Sequence, residues 1–120
     1  MDANDSSIAL IIPHRDDREN LNHLLQSIKS WTKMADEIII VDSSQDLESI
    51  QYDFVEFCSS KKITLIHHQS DELIYPGHAR NIGIDKSNSK LIAFLDVKTI
   101  PTDDWLDKSI ELMKDESIDG

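Results

Sequence analysis

A chain of 120 residues with 39% hydrophobic content is long enough to bury the core of one domain and too apolar for a disordered segment. Its formal charge of −11, from 23 acidic and 12 basic side chains, repels phosphate backbones and argues against nucleic acid as a partner. No run of about 18 apolar residues is present to span a membrane. The polar start MDANDSS is not that expected of a signal peptide, and the lone Cys58 excludes an internal disulfide framework, so a reducing cytoplasm is the expected compartment.

Strand and helix signals alternate along the chain. Ile8 to Ile12 reads as a buried strand stopped by Pro13. Asp16 and Asp17 then precede Leu21, Leu24, Leu25 and Ile28, which share one helical face. Glu37 to Val41 predicts a second strand ending at Asp42. Asp46 is the expected cap of a helix carrying Ile50, Phe54, Phe57 and Cys58. Lys62 to His67 predicts a third strand. Pro76-Gly77 turns into a helix over Ala79 to Lys86, which Ser87-Asn88-Ser89 breaks. Lys90 to Leu95 is the fourth strand. Pro101 is expected at or near the first turn of a last helix, with Trp105, Leu106, Ile110 and Met113 as its apolar side.

This order predicts an α/β fold: a doubly wound, mostly parallel sheet with helices on both faces. Ligands on such sheets bind beyond the carboxyl ends of the strands. Three polar groups meet that edge: Pro13, His14, Arg15 and Asp16 after the first strand, Asp42, Ser43 and Ser44 after the second, Asp96, Val97 and Lys98 after the fourth. A carboxylate ending an apolar strand, as Asp96 does after Leu91 to Leu95, is costly unless something binds it. It reads either as a ligand to a ribose hydroxyl or metal, or as a loop anchor. Arg80 and Asn81 sit at an expected helix start, where a guanidinium meets phosphate well, or where a surface arginine pairs with one of many acids. Asp42-Ser43-Ser44 alone fits a plain turn. His67 and His68 are adjacent and face opposite ways on a strand, so they do not share a metal; Cys58, Trp31 and Trp105 read as packing residues.

These residues resemble the N-terminal half of a family 2 glycosyltransferase with the GT-A fold. Four segments carry the likeness in order and spacing: IALIIPHRDDRENLNHLLQSI, DEIIIVDSSQD, GHARNIGID and LIAFLDVKTIPTDDWL. They are similar to the family's opening strand and helix (I-I-P-T-Y-N-R), its D-E-I-I-V-V-D-D-G-S-T-D segment, its G-x-A-R-N-x-G element and its DxD segment. The resemblance implies that Pro13, His14 and Arg15 line the nucleotide base and that Asp42 contacts uracil or its ribose. It implies further that Arg80 lies near the base and diphosphate and that Asp96 is the first DxD aspartate. The implied partners are a nucleotide sugar, with UDP-sugar favoured, and a sugar or lipid-linked acceptor, as in bacterial polysaccharide biosynthesis. The implied chemistry is inverting displacement at the anomeric carbon, assisted by Mn²⁺ or Mg²⁺.

Two departures stand out. Lys98 occupies the position of the second DxD aspartate, the usual metal ligand, and a charged lysine does not ligate a hard cation. His14 and Arg15 replace the usual Thr-Tyr pair. In the family, the acceptor half and catalytic base lie downstream of the DxD strand. Residues 1–120 are therefore expected to form one nucleotide-sugar-binding domain truncated at its C-terminus, poor at transfer alone. In a longer protein the location extends to a membrane-peripheral one, and an open sheet edge favours homo-oligomers. Two alternatives stay open: a degenerate, non-catalytic glycosyltransferase-like binding module, and a phosphoacceptor receiver domain, which the lack of an aspartate after the third strand disfavours.

Overall fold

The computed structural model describes residues 7–45, 48–70, 72–99 and 101–111. The elements are β1 (Ile8–His14), α1 (Arg18–Ile28), β2 (Glu37–Asp42), α2 (Tyr52–Ser60), β3 (Thr64–Gln69), α3 (Pro76–Lys86) and β4 (Leu91–Phe94), followed by helical residues 105–111. The four strands form one sheet in the order β3-β2-β1-β4, and every pairing is parallel. The α/β alternation read from sequence is therefore present. A receiver-type sheet places β1 between β2 and β3. Here β1 lies between β2 and β4, which removes the receiver alternative.

The two central strands are isoleucine-rich because both faces are covered. On one face Leu10, Ile12, Ile38 and Ile40 pack with Leu21, Leu25 and Ile28 of α1, Phe54 of α2, and Leu106. On the other, Ala9, Ile11, Ile39 and Val41 pack with Ala79 of α3. Trp31 and Trp105 pack with ring centroids 5.5 Å apart, and Cys58 is buried, where desolvation pushes its thiol up to about 11. Both findings fit core roles. Gly83 lets α3 approach β1 closely: a Cβ there would lie 2.6 Å from Ile11 Cγ2.

Several boundaries differ from the expected ones, each for a physical reason. β1 does not stop at Pro13 but runs to His14. Ile11 O accepts from Leu95 N on the β4 side and His14 O accepts from Ser43 N on the β2 side. Strand alternation then turns the missing Pro13 N–H toward β4, which has already ended at Phe94, so no ladder bond is lost. α2 begins at Tyr52 instead of after Asp46, which lies outside the described residues. α3 begins at Pro76, a turn earlier than expected. Pro101 lies shortly before the last helical segment, which starts at residue 105, near the first turn as expected; Met113 lies outside the described residues.

β3 begins at Thr64, two residues late, because Lys62 is consumed in ending α2. Ile63 N bonds to Cys58 O and Lys62 N to Ser59 O, a Schellman arrangement that puts Lys62 at φ 60. Glycine is the usual occupant because a Cβ is strained there. Lys62→Gly is expected to stabilise the chain by about 1 kcal/mol in urea denaturation. At the amino edge of the sheet the buried Glu37 accepts bonds from Ser87 Oγ (3.0 Å), Asn88 N (2.9 Å) and Ser89 Oγ (2.5 Å). One carboxylate thus holds the α3–β4 connection and leaves the carboxyl edge free for a site.

Candidate functional site

The carboxyl edge is built by two interlocked loops. Asp16, at φ 50, donates its N–H to Ser44 Oγ at 2.8 Å, and its Oδ1 accepts from Gln45 N at 2.9 Å. Arg15 Nη1 donates to Ser43 O at 2.7 Å. The β1–α1 and β2–α2 connections are therefore joined by side-chain and backbone bonds that oblige Asp16 to take a strained conformation.

Asp42 lies under this latch and is fully buried. Its Oδ1 accepts from His14 Nδ1 (3.0 Å), Ser44 N (3.0 Å) and Ser44 Oγ (2.6 Å). Its Oδ2 accepts from His67 Nε2 at 2.9 Å and faces Arg18 Nη2 at 3.6 Å. His14 Nε2 in turn accepts the Asp17 N–H at 3.0 Å, which fixes the ring hydrogen on Nδ1, facing Asp42. Burial pushes the Asp42 carboxyl up, but the bonds from His14, His67 and Ser44 outweigh it and hold the group well below the usual carboxylate range. Arg18 was not singled out from sequence, and Ser44 and His67 were read there only as a turn residue and a strand histidine, with no link to Asp42. The signal lies in strand register: β1 pairs with β2 so that His14 is level with Asp42, and β2 pairs Ile40 with His67, one step along the same face.

Two neighbouring hollows open at this edge, of about 270 and 310 Å³. Pro13 and Asp96 border both. His14, Arg15 and Lys98 border the first, with Val41, Ile74 and Tyr75 as apolar wall. Arg80 and Phe94 border the second. Six of the seven residues singled out from sequence thus converge. Asp42 does not reach the wall of either hollow; it sits behind His14.

The surroundings of Asp96 differ from expectation. β4 ends at Phe94, and Asp96 is exposed, so no burial cost has to be offset there. Its Oδ1 accepts the Lys98 N–H at 2.8 Å and its carbonyl accepts from Thr99 N at 3.0 Å, closing a turn. That turn presents the exposed Lys98 at the pocket mouth. Arg80 lies in the second turn of α3, not at its start, and its guanidinium stands 5.0 Å from the Phe94 ring centroid. Among the described residues neither Arg80 nor Lys98 has an acid within ion-pair distance. Gly77 at the helix start has open space around it.

The electrostatic sign of the edge is therefore opposite to that of the chain. Among the described residues Arg15, Arg80 and Lys98 face one lining carboxylate, Asp96, in a protein of net charge −11, and Arg15 is also paired with Asp16 at 3.8 Å. Such a mouth suits an anion flanked by a flat apolar group. As for a metal, the described residues contain no cluster of three or more His, Cys, Asp or Glu able to hold one. No helix among them is long and apolar enough to cross a membrane.

Comparison with known proteins agrees with this geometry. The family model "Glycosyl transferase family 2" matches residues 9–120. Glycosyltransferase AglE of Haloferax volcanii is 28% identical over 116 residues, covering 93% of this chain and 37% of that protein. An uncharacterized glycosyltransferase of Rickettsia bellii is 31% identical over 116 residues, covering 92% of this chain and 16% of its own length. The chain therefore spans well under half of these relatives. Among solved structures, S. aureus TarS superposes with a TM-score of 0.66 at 18% identity, covering 91% of this chain and 20% of that one. TarS 1-349 in complex with UDP-GlcNAc gives a TM-score of 0.66 at 17% identity, covering 91% and 31%; the same fragment is also known in complex with UDP. These structures share the GT-A fold seen here.

Proposed function

The chain belongs to glycosyl transferase family 2, and from that premise we propose that its carboxyl-edge pocket binds the donor of a glycosyl transfer, a nucleoside-diphosphate sugar, with a UDP-sugar favoured. The observation that carries this reading is the cluster of Arg15, Arg80 and Lys98 around two joined hollows, in a chain otherwise rich in acid. TarS, which shares the fold, has been captured with UDP and UDP-GlcNAc. Pro13, His14 and Arg15 flank the base, Asp42 holds His14 in place from behind, and Asp96 and the cations take the ribose and diphosphate.

In the complete reaction an acceptor hydroxyl attacks the anomeric carbon from the face opposite the diphosphate. The bond from that carbon to the diphosphate oxygen breaks, the nucleoside diphosphate departs with the electron pair, and a base takes the hydroxyl proton. The configuration inverts. The acceptor is a sugar or a lipid-linked molecule. Asp96 is the one carboxylate that lines the two hollows among the described residues, and it is tied into the Lys98 turn. This favours a second reading, a donor-binding module without turnover.

Calorimetric titration of the chain with UDP, UDP-GlcNAc and ADP, together with a donor-hydrolysis assay, tests both. Micromolar binding of the uridine nucleotides is expected. Binding by the chain with no hydrolysis by a longer form that carries the acceptor half supports the module, hydrolysis by that form supports the enzyme, and no uridine-nucleotide binding rejects the donor-site reading.

A further inference from the structure

The family implies a divalent cation at the donor diphosphate, and the residues present do not fit one. A hard cation needs several oxygen ligands. Among the described residues the mouth of this pocket offers one exposed carboxylate, Asp96, whose Oδ1 already accepts the Lys98 N–H at 2.8 Å. Of the other acids at this edge, Asp16 is tied to Gln45 N and to Arg15, and Asp42 is buried with both its oxygens engaged by His14, Ser44 and His67. The position from which a second carboxylate would reach the ion is Lys98, and no described cluster of three or more His, Cys, Asp or Glu is able to hold a metal.

We infer that the Lys98 ammonium itself takes the place of the metal at the diphosphate, giving a donor site whose occupancy is independent of divalent cations. The inference rests on the donor-site reading above. Three features support it. The Asp96–Thr99 turn fixes the Lys98 backbone, so the side chain leaves from a defined point at the pocket mouth. No described acid neutralises the ammonium, so its charge is available to a ligand. The pocket that Lys98 borders also carries Arg15, and the adjoining one carries Arg80. Arg15 Nε stands 3.8 Å from Asp16 Oδ2, which leaves Lys98 and Arg80 as the two cations without a described acid partner, enough to offset a dianionic diphosphate without an ion. Lysine suits the role because its ammonium acts as a compact point charge with three donors.

The test uses calorimetric titration of the 120-residue chain with uridine, UMP and UDP, in EDTA and in Mn²⁺. UDP affinity is expected to agree within about twofold between the two conditions. Lys98→Ala should weaken UDP by about tenfold or more, the scale of one lost charge-assisted bond, and uridine by less than about twofold. Lys98→Asp should bind UDP only when Mn²⁺ is present. Lys98 is exposed, so thermal melting of both variants should match the parent. A parent that needs Mn²⁺ for UDP, or a Lys98→Ala variant that binds UDP unchanged, overturns the inference while uridine and UMP binding keep the donor site standing. Failure of uridine, UMP and UDP alike rejects the donor site and the inference with it.

Discussion

Asp42→Ala is expected to lower the unfolding free energy by about 3–5 kcal/mol, the scale for removing one partner from a buried charged network. The carboxylate accepts four hydrogen bonds while fully buried. Its loss leaves His14 Nδ1, Ser44 N, Ser44 Oγ and the partly buried His67 Nε2 without their acceptor, and each orphan on the buried His14 and Ser44 costs about 1–3 kcal/mol before relaxation. A domain stable by only about 5–15 kcal/mol feels such a loss severely. Asp42→Asn should be milder, because one oxygen still accepts while the new amide N–H faces a donor. Urea denaturation followed by circular dichroism measures both. A loss below about 1 kcal/mol for Asp42→Ala would show that water replaces the carboxylate and that the network is not a support.

The same network sets an acid limit. The folded carboxyl of Asp42 is held below its ordinary value of 3.8. A group depressed on folding contributes stability that is complete above the unfolded value and is lost as the pH falls below it toward the folded one. The stability gap between the parent chain and Asp42→Ala should therefore be constant from about pH 5 upward and shrink below pH 4. A gap that widened on acidification would mean that the carboxyl binds its proton more tightly when folded.

The alternation of strands and helices and the convergence of six pocket residues were legible in the sequence because both depend on local signals. Apolar runs mark strands, and polar residues that follow them mark the carboxyl edge. What escaped was set by register and by solvent. Asp42 and Asp96 each follow an apolar run, so sequence treats them alike. In the fold Asp42 belongs to a central strand under two loops, whereas Asp96 lies beyond a four-residue edge strand in contact with water. His67 meets Asp42 only because β2 and β3 pair in one register. Nothing within a few residues of His67 reports that. Lys62 is a further case: strand-like residues follow it, but the preceding helix needs it for its own ending.

Gly83→Ala separates local preference from packing. Helix propensity alone predicts a gain of about 1 kcal/mol, since Gly83 lies inside α3. Packing predicts the opposite. The added methyl would stand 2.6, 2.8 and 2.9 Å from Cγ2, Cδ1 and Cγ1 of Ile11. That side chain is β-branched, completely buried and mounted on a strand bonded on both sides, so it has little room to turn away. Overpacking of this kind costs about 1–3 kcal/mol and so exceeds the propensity gain over most of that range. The expected result is a net loss of up to about 2 kcal/mol in urea denaturation. Because α3 carries Ala79 and Arg80 at the pocket, UDP affinity should fall with it. The double variant with Ile11→Ala discriminates cleanly. Removing the obstructing atoms should make Gly83→Ala favourable in that background, a coupling of at least about 1 kcal/mol. Additive effects, or a stabilised single variant, would mean that α3 stands off the sheet farther than Gly83 requires.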